Sequence, residues 1–314
     1  MNNRRDLKGY WPTWPDHPWP GGATLAVSIV VNFEEGAERS IADGDERNES
    51  VYEMREEVVG SADLCMESHF AYGSRIGYWR IAETLEQAGV HATFSSCGRA
   101  AMRSPWLLRD VVNRGHEVSC HGWRWERHAG FNEAHEQAII QRTFDAISAA
   151  AGVAPVGWHT RSSATLATRK LLLQHGGFSY DSDAYDDDCP YTIAAEGIDH
   201  VVLPYAFDTN DMRFSPGGGF VHADDFSRYV IASFDRLLAE SRSATRMMSI
   251  GLHPRLIGRP GRIAGLEAVL KHITAHDNVW CAPRRDIAAH WRTMCGLPEW
   301  NANKPNRTGV TCEQ

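Results

Sequence analysis

The chain has 314 residues, 43% of them hydrophobic and 23% charged, enough for one large domain with a full core. A net charge of −8, with no block of consecutive lysines or arginines, excludes the electrostatic footprint of nucleic-acid or anionic-lipid binding and points to a small-molecule substrate. The positive charges near the N-terminus precede no apolar signal segment and no stretch has the apolar length of a membrane span, so a cytoplasmic protein without membrane contact is expected.

The first element is a Pro/Trp-rich N-terminal arm, residues 1–20, whose Trp11, Trp14 and Trp19 suit packing between subunits or against the flank of the main domain. A strand is expected at 25–31 (LAVSIVV), stopping at Asn32-Phe33-Glu34-Glu35-Gly36. A helix at 75–88 leads to a strand at 90–96. Ser104-Pro105 opens a helix over 105–114, which is followed by a strand at 116–120 that ends on His121. Asn132 is a good N-cap for a helix over 133–151, with Glu133 and Glu136 at the positive end of the dipole and Gly152 closing it. The strand at 155–159 ends on His159 and Arg161, and helix 164–175 follows it. Strands at 200–205, 247–252 and 278–281 alternate with helices at 223–240, 261–276 and 284–292, and the 247–252 strand ends on His253. The tail from about 298 to 314 carries no pattern of its own.

Near-continuously apolar strands, each followed by a helix, describe a parallel sheet covered by helices, closed or nearly closed into a barrel of about seven strands. Chemistry in such barrels sits where strands end and loops begin, which is where Glu34, Glu35, His121, His159, Arg161 and His253 fall. That convergence is the sequence argument for an enzyme. The seven cysteines are odd in number, scattered and without CxxC spacing, so they imply neither a disulfide framework nor a cysteine zinc site.

In this order the strand-end residues resemble the polysaccharide deacetylase (NodB-like) superfamily, over roughly residues 20 to 292. The resemblance implies a distorted (β/α) barrel over residues 21–297. Its first motif, T-F-D-D-G, is matched by Asn32 to Gly36, and implies a base and a metal ligand among Glu34 and Glu35. Its H-x-x-x-H motif is matched by H-G-W-R-W, where His121 keeps the first histidine and Trp125 replaces the second. Arg161 matches the arginine motif and His253 the final histidine. Indole has a donor N–H and no lone pair, so Trp125 cannot ligate. Glu35 and His121 alone are too few for a catalytic zinc site, and no metal or other cofactor is expected.

The same departures occur in a subgroup, the metal-independent allantoinases and cyclic imide hydrolases. MESHFAYGSRIGYWR (66–80), GGFSYDSDAYDDDCPY (176–191), LPYAFDTNDMRF (203–214) and GLHPRLIGRP (251–260) are similar to that subgroup. One loop departs from it: the allantoinase pattern is close to Y-T-G-R-T, where this chain has His159-Thr160-Arg161-Ser162-Ser163. The resemblance implies a homo-oligomer, a tetramer in the subgroup.

Expected catalytic residues are Glu34, Glu35, His121, Arg161 and His253; Tyr72, Arg75, Trp125, His159, Asn210 and Asp211 are expected to contact substrate. Each has a plainer reading. The glutamates could form a solvated turn, His121 could be a strand-end residue bonded to backbone, and Arg161 could pair with Asp181 or Asp183. Asp186-Asp187-Asp188 is contiguous rather than spaced around an ion and reads as a solvated loop. Three functions follow in order: metal-independent hydrolysis of C–N bonds in small cyclic amides, imides or ureides; deacetylation of N-acetyl sugars with an altered metal site; and a binding protein that has lost its chemistry.

Overall fold

The apolar run expected at 25–31 forms β1, Leu25–Phe33, whose nine residues are all buried. A strand covered on both faces suits a parallel sheet, where helices pack on the side that an antiparallel sheet would leave to water. The computed structural model describes residues 6–50, 56–161, 163–195 and 197–301; the tail from residue 302 onward lies outside the described residues.

Among the described residues the sheet has nine strands. β2 is Thr93–Ser96, β3 Glu117–Cys120, β4 Gly157–Trp158, β5 Tyr180–Asp181, β6 Tyr191–Ala195, β7 Ile198–Val202, β8 Arg246–Leu252 and β9 Val279–Cys281. Their order is β6-β7-β5-β4-β3-β2-β1-β8, with β9 also on β1. All pairings are parallel except the β6–β7 hairpin. The sheet is therefore a curled half-barrel of mostly parallel strands, in keeping with the distorted barrel expected, with nine strands among the described residues where about seven were expected. The additional strands are short or exposed: β5 has two residues and β6 is a half-exposed edge, so neither carries a readable apolar run.

The helices are α1 Leu64–Tyr72, α2 Tyr78–Gln87, α3 Gly98–Arg103, α4 Pro105–Asn113, α5 Glu133–Ala151, α6 Thr168–His175, α7 Ala223–Glu240, α8 Pro260–Ile273 and α9 Arg284–Met294. α5 begins and ends as its caps predict: the Asn132 side chain accepts the His135 N–H, and Gly152 closes it at φ 77°. The helix expected at 75–88 begins earlier, at Leu64, where Asp63 accepts the Met66 N–H. It continues through a π-helical turn, Gly73–Gly77, into α2. No helix of the described residues is long and apolar enough to cross a membrane.

Register explains how distant residues meet. Phe33 pairs with Ser96, Ser96 with Cys120, and Cys120 with Trp158, so four strands end at one level. The ladder runs one residue further: Cys97 N–H donates to the Phe33 carbonyl, His121 N–H to Ser96 and His159 N–H to Cys120. Glu34, His121 and His159 thus emerge side by side from the same rim. On the other side of β1, Leu252 pairs with Val31, which delivers His253 to this rim.

The arm packs against its own barrel at the opposite end. Trp19 is buried, donates its indole N–H to the Arg246 carbonyl at 2.9 Å, and lies beside Trp280 and Trp291. Arg246 stacks over Trp14 at 4.3 Å, whereas Trp11 is exposed.

Candidate active site

The rim opens into a cavity of about 540 Å³. Glu34, His121, His159 and His253 line it, joined by Asn32, Trp125, Arg161, Tyr205 and Asn210. Glu34 is the centre of its floor. One carboxylate oxygen lies 3.4 Å from His121 Nε2 and 3.5 Å from His253 Nε2, and the other accepts from the Arg255 guanidinium at 2.8 Å. Burial alone would raise the pKa of this carboxyl, but the His253 imidazole and the Arg255 guanidinium outweigh it and hold Glu34 well below the usual range.

Both histidines are fixed from behind. His121 Nδ1–H donates to the His159 carbonyl at 2.6 Å, which aims Nε2 at Glu34. His253 Nδ1–H donates to Asp211 at 2.6 Å, while the other Asp211 oxygen accepts the backbone N–H groups of His253 and Ile257. Burial opposes charge on His253, but Glu34 and Asp211 raise it to about 9, so it is cationic at neutral pH.

Glu35 faces away from the cavity. It accepts the Glu34 N–H at 3.1 Å and the Arg255 N–H at 3.2 Å, beneath the π-helical turn. A Cβ on Gly73 would collide with its carboxyl, so glycine there is a requirement of close packing. Burial first, then the Glu34 charge, push Glu35 up to about 7, against Arg255. Of the two adjacent acids, the one facing the cavity is ionised and the one beneath it has the raised pKa.

Several expected residues lie elsewhere. Tyr72 and Arg75 are not on the cavity wall: Arg259 stacks on Tyr72 at 3.6 Å, Arg80 donates to its hydroxyl, and Arg75 is exposed on the π-helical turn. Both sit on the outside of that turn, whose inner side is the glycine face over Glu35. Asp211 is fully buried and acts on the site through His253. Arg161 pairs with neither Asp181 nor Asp183. Asp181 is taken by Arg169 and His200, and Asp183 by the Thr160 backbone and hydroxyl, whereas Arg161 lies flat over the Trp125 indole at 3.6 Å.

Two residues escaped the sequence reading. Arg255, two positions after His253, reaches back to both glutamates. Tyr205 is buried in the floor, where its hydroxyl accepts the amide N–H groups of Asn32 (3.0 Å) and Asn210 (3.2 Å), leaving its own proton free. Its phenol stays protonated, because burial raises the pKa. Gly251 permits this, since a Cβ there would meet Tyr205 and Asn210. Two buried atoms of the lining residues, Asn32 Oδ1 and His159 Nδ1, have no hydrogen-bond partner, while His159 Nε2 meets the Tyr185 hydroxyl at 3.0 Å. Burial, then the neighbouring His121, keep His159 well below the ordinary histidine value and therefore neutral.

A metal does not fit these residues. Trp125 occupies the position of a second histidine, packed against Phe70, and the Arg255 guanidinium already neutralises Glu34. Among the described residues no group of three His, Cys, Asp or Glu side chains is placed to hold an ion.

The family description "Polysaccharide deacetylase" matches residues 65–180. A putative polysaccharide deacetylase of Schizosaccharomyces pombe is 37% identical over 93% of this chain and 98% of its own. The crystal structure of PuuE allantoinase superposes with a TM-score of 0.89 at 40% identity, covering 93% of this chain and 98% of the other. That of a probable polysaccharide deacetylase from Pseudomonas aeruginosa does so with 0.88 at 40%, covering 92% and 98%. The fold and site define a half-barrel with a carboxylate at its rim, and the chain belongs to the polysaccharide deacetylase family, whose members are hydrolases of C–N bonds.

Proposed function

We propose that the protein hydrolyses a C–N bond in a small cyclic amide, imide or ureide without a metal. The observation that carries this reading is the Glu34 carboxylate, ionised at the cavity floor between His121 and His253, with a guanidinium behind it. His121 Nε2 stands 3.4 Å from the Glu34 carboxylate, so a water seated on Glu34 meets both groups. Glu34 takes the proton as the oxygen attacks the ring carbonyl. Cationic His253, oriented by Asp211, and the Tyr205 hydroxyl donate to the developing oxyanion, and His253 then protonates the leaving nitrogen.

The ring class follows from the wall. A cyclic amide or ureide presents N–H donors beside its carbonyls, which suits the unpartnered acceptor Asn32 Oδ1. The stacked pair of Tyr185 and Phe207, 4.0 Å apart and near the cavity, suits a flat ring. Strained or electron-poor ring carbonyls need less Lewis-acid help than acetamides, consistent with a site whose cations are side chains. The allantoinase neighbour supports this reading.

The test is ring opening of allantoin, hydantoin, succinimide and dihydrouracil, with and without chelator. Opening of at least one ring at an unchanged rate in chelator is the expected result. The names of the deacetylase relatives favour a second reading, removal of acetyl groups from N-acetyl sugars. Chelator-sensitive release of acetate from chitin oligomers, with no ring opened, would establish that reading instead.

A further inference from the structure

The cavity has a second chemical zone above its floor. Arg39, Arg47, Arg127 and Arg161 stand at its wall, and among the described residues two acids, Glu49 and Glu126, stand with them. Arg39 lies 3.7 Å from Glu126. Among the described residues no carboxylate comes within 4.0 Å of Arg47, Arg127 or Arg161. A chain with net charge −8 has acids in excess to pair its arginines, so this gathering at one opening is the opposite of what composition supplies. Arg161 is also immobilised, stacked on Trp125, with its N–H edge unused. Glu49 sits in the field of Arg161, Arg39 and Arg47, which oppose the rise in its pKa that burial causes.

We infer that this zone is an anion subsite, and that the preferred ring carries a carboxylate which Arg127 and Arg161, with Arg47, bind at the mouth while the ring carbonyl rests on the floor. A carboxylate accepts two parallel N–H bonds from a guanidinium. Four cations against two acids among the described residues leave a surplus of two positive charges, which a bound carboxylate halves.

This inference rests on the cyclic-amide reading, and the experiment separates the two. Turnover is compared within matched pairs that share a ring and differ by one carboxylate-bearing substituent: dihydrouracil against dihydroorotate, and hydantoin against hydantoin-5-acetate. Expected is a preference for the acid of about tenfold or more in kcat/KM. That ratio shrinks with added salt and collapses toward one in Arg127→Gln and Arg161→Gln. Equal turnover of acid and neutral ring, or a ratio untouched by both substitutions, overturns the subsite. If no ring opens, the hydrolase reading fails. Calorimetric binding of the same pairs then decides the subsite alone: selective binding of the acids, lost in Arg127→Gln, supports it, and equal or absent binding overturns it.

Discussion

Two buried glutamates, one at each end of the same sheet, show what separates a structural acid from a reactive one. Glu117, on β3, accepts Thr93 Oγ1–H (2.7 Å), Tyr180 O–H (2.8 Å) and the Arg285 N–H (2.9 Å), all from groups that hold the β2, β5 and α9 chain together. Glu34 is as deeply buried, but its partners are two imidazoles and a guanidinium around an open cavity, with unpartnered polar atoms nearby. Burial is common to both. Reactivity requires that the partners be titratable and that some valence be left for a ligand.

The sharpest break between them is a pair of isosteric substitutions. Glu34→Gln should lower the ring-opening kcat by about 10³-fold while the protein stays folded by circular dichroism, because the base is lost and the shape kept. A next effect, one of about ten- to a hundredfold, is expected for Asp211→Asn, which removes the charge behind His253. Its signature is in the pH–rate profile: wild-type activity should fall as pH rises through about 9, when His253 loses its proton, and Asp211→Asn should move that limb to lower pH. The same linkage reaches stability. Because the folded-state value lies above the ordinary 6.5, His253 contributes stability that is complete below about 6.5 and lost as pH rises through about 9. Urea midpoints across that range, wild type against His253→Ala, measure it.

At the other end, Glu117→Gln should reverse the pattern: a loss of about 1–3 kcal/mol of stability from unsatisfied donors, with kcat within about threefold of wild type. The smallest change is Gly73→Ala, which forces a methyl against Glu35 and should cost about 1–3 kcal/mol in denaturant titrations, with only an indirect effect on turnover. Loss of turnover in Glu117→Gln at intact stability would erase the contrast.

Much of the floor was legible because strand-end chemistry follows from apolar runs: β1, β3 and β8 announce themselves, and Glu34, His121 and His253 come next in the chain. Arg255 and Tyr205 were not legible. Each lies inside a stretch similar to the allantoinase subgroup, but Tyr205 reads as the last core residue of the 200–205 strand, and only tertiary packing turns Arg255 back onto Glu34. Tyr72 and Arg75 were expected at the substrate, but the structure places them off the cavity wall, where the π-helical turn after α1 redirects the chain. Two of the nine strands were hidden too, because the two-residue β5 and the half-exposed β6 leave no apolar run to read.

The central claim is that Glu34 is the base and Glu35 its buried support. The direct measurement is the ring-opening rate, in chelator, of Glu34→Gln and Glu35→Gln side by side on whichever cyclic substrate wild type opens. The account predicts a loss of about 10³-fold in the first and about tenfold, mainly through stability, in the second. Full activity in Glu34→Gln, or an inactive but folded Glu35→Gln beside an active Glu34→Gln, would contradict it.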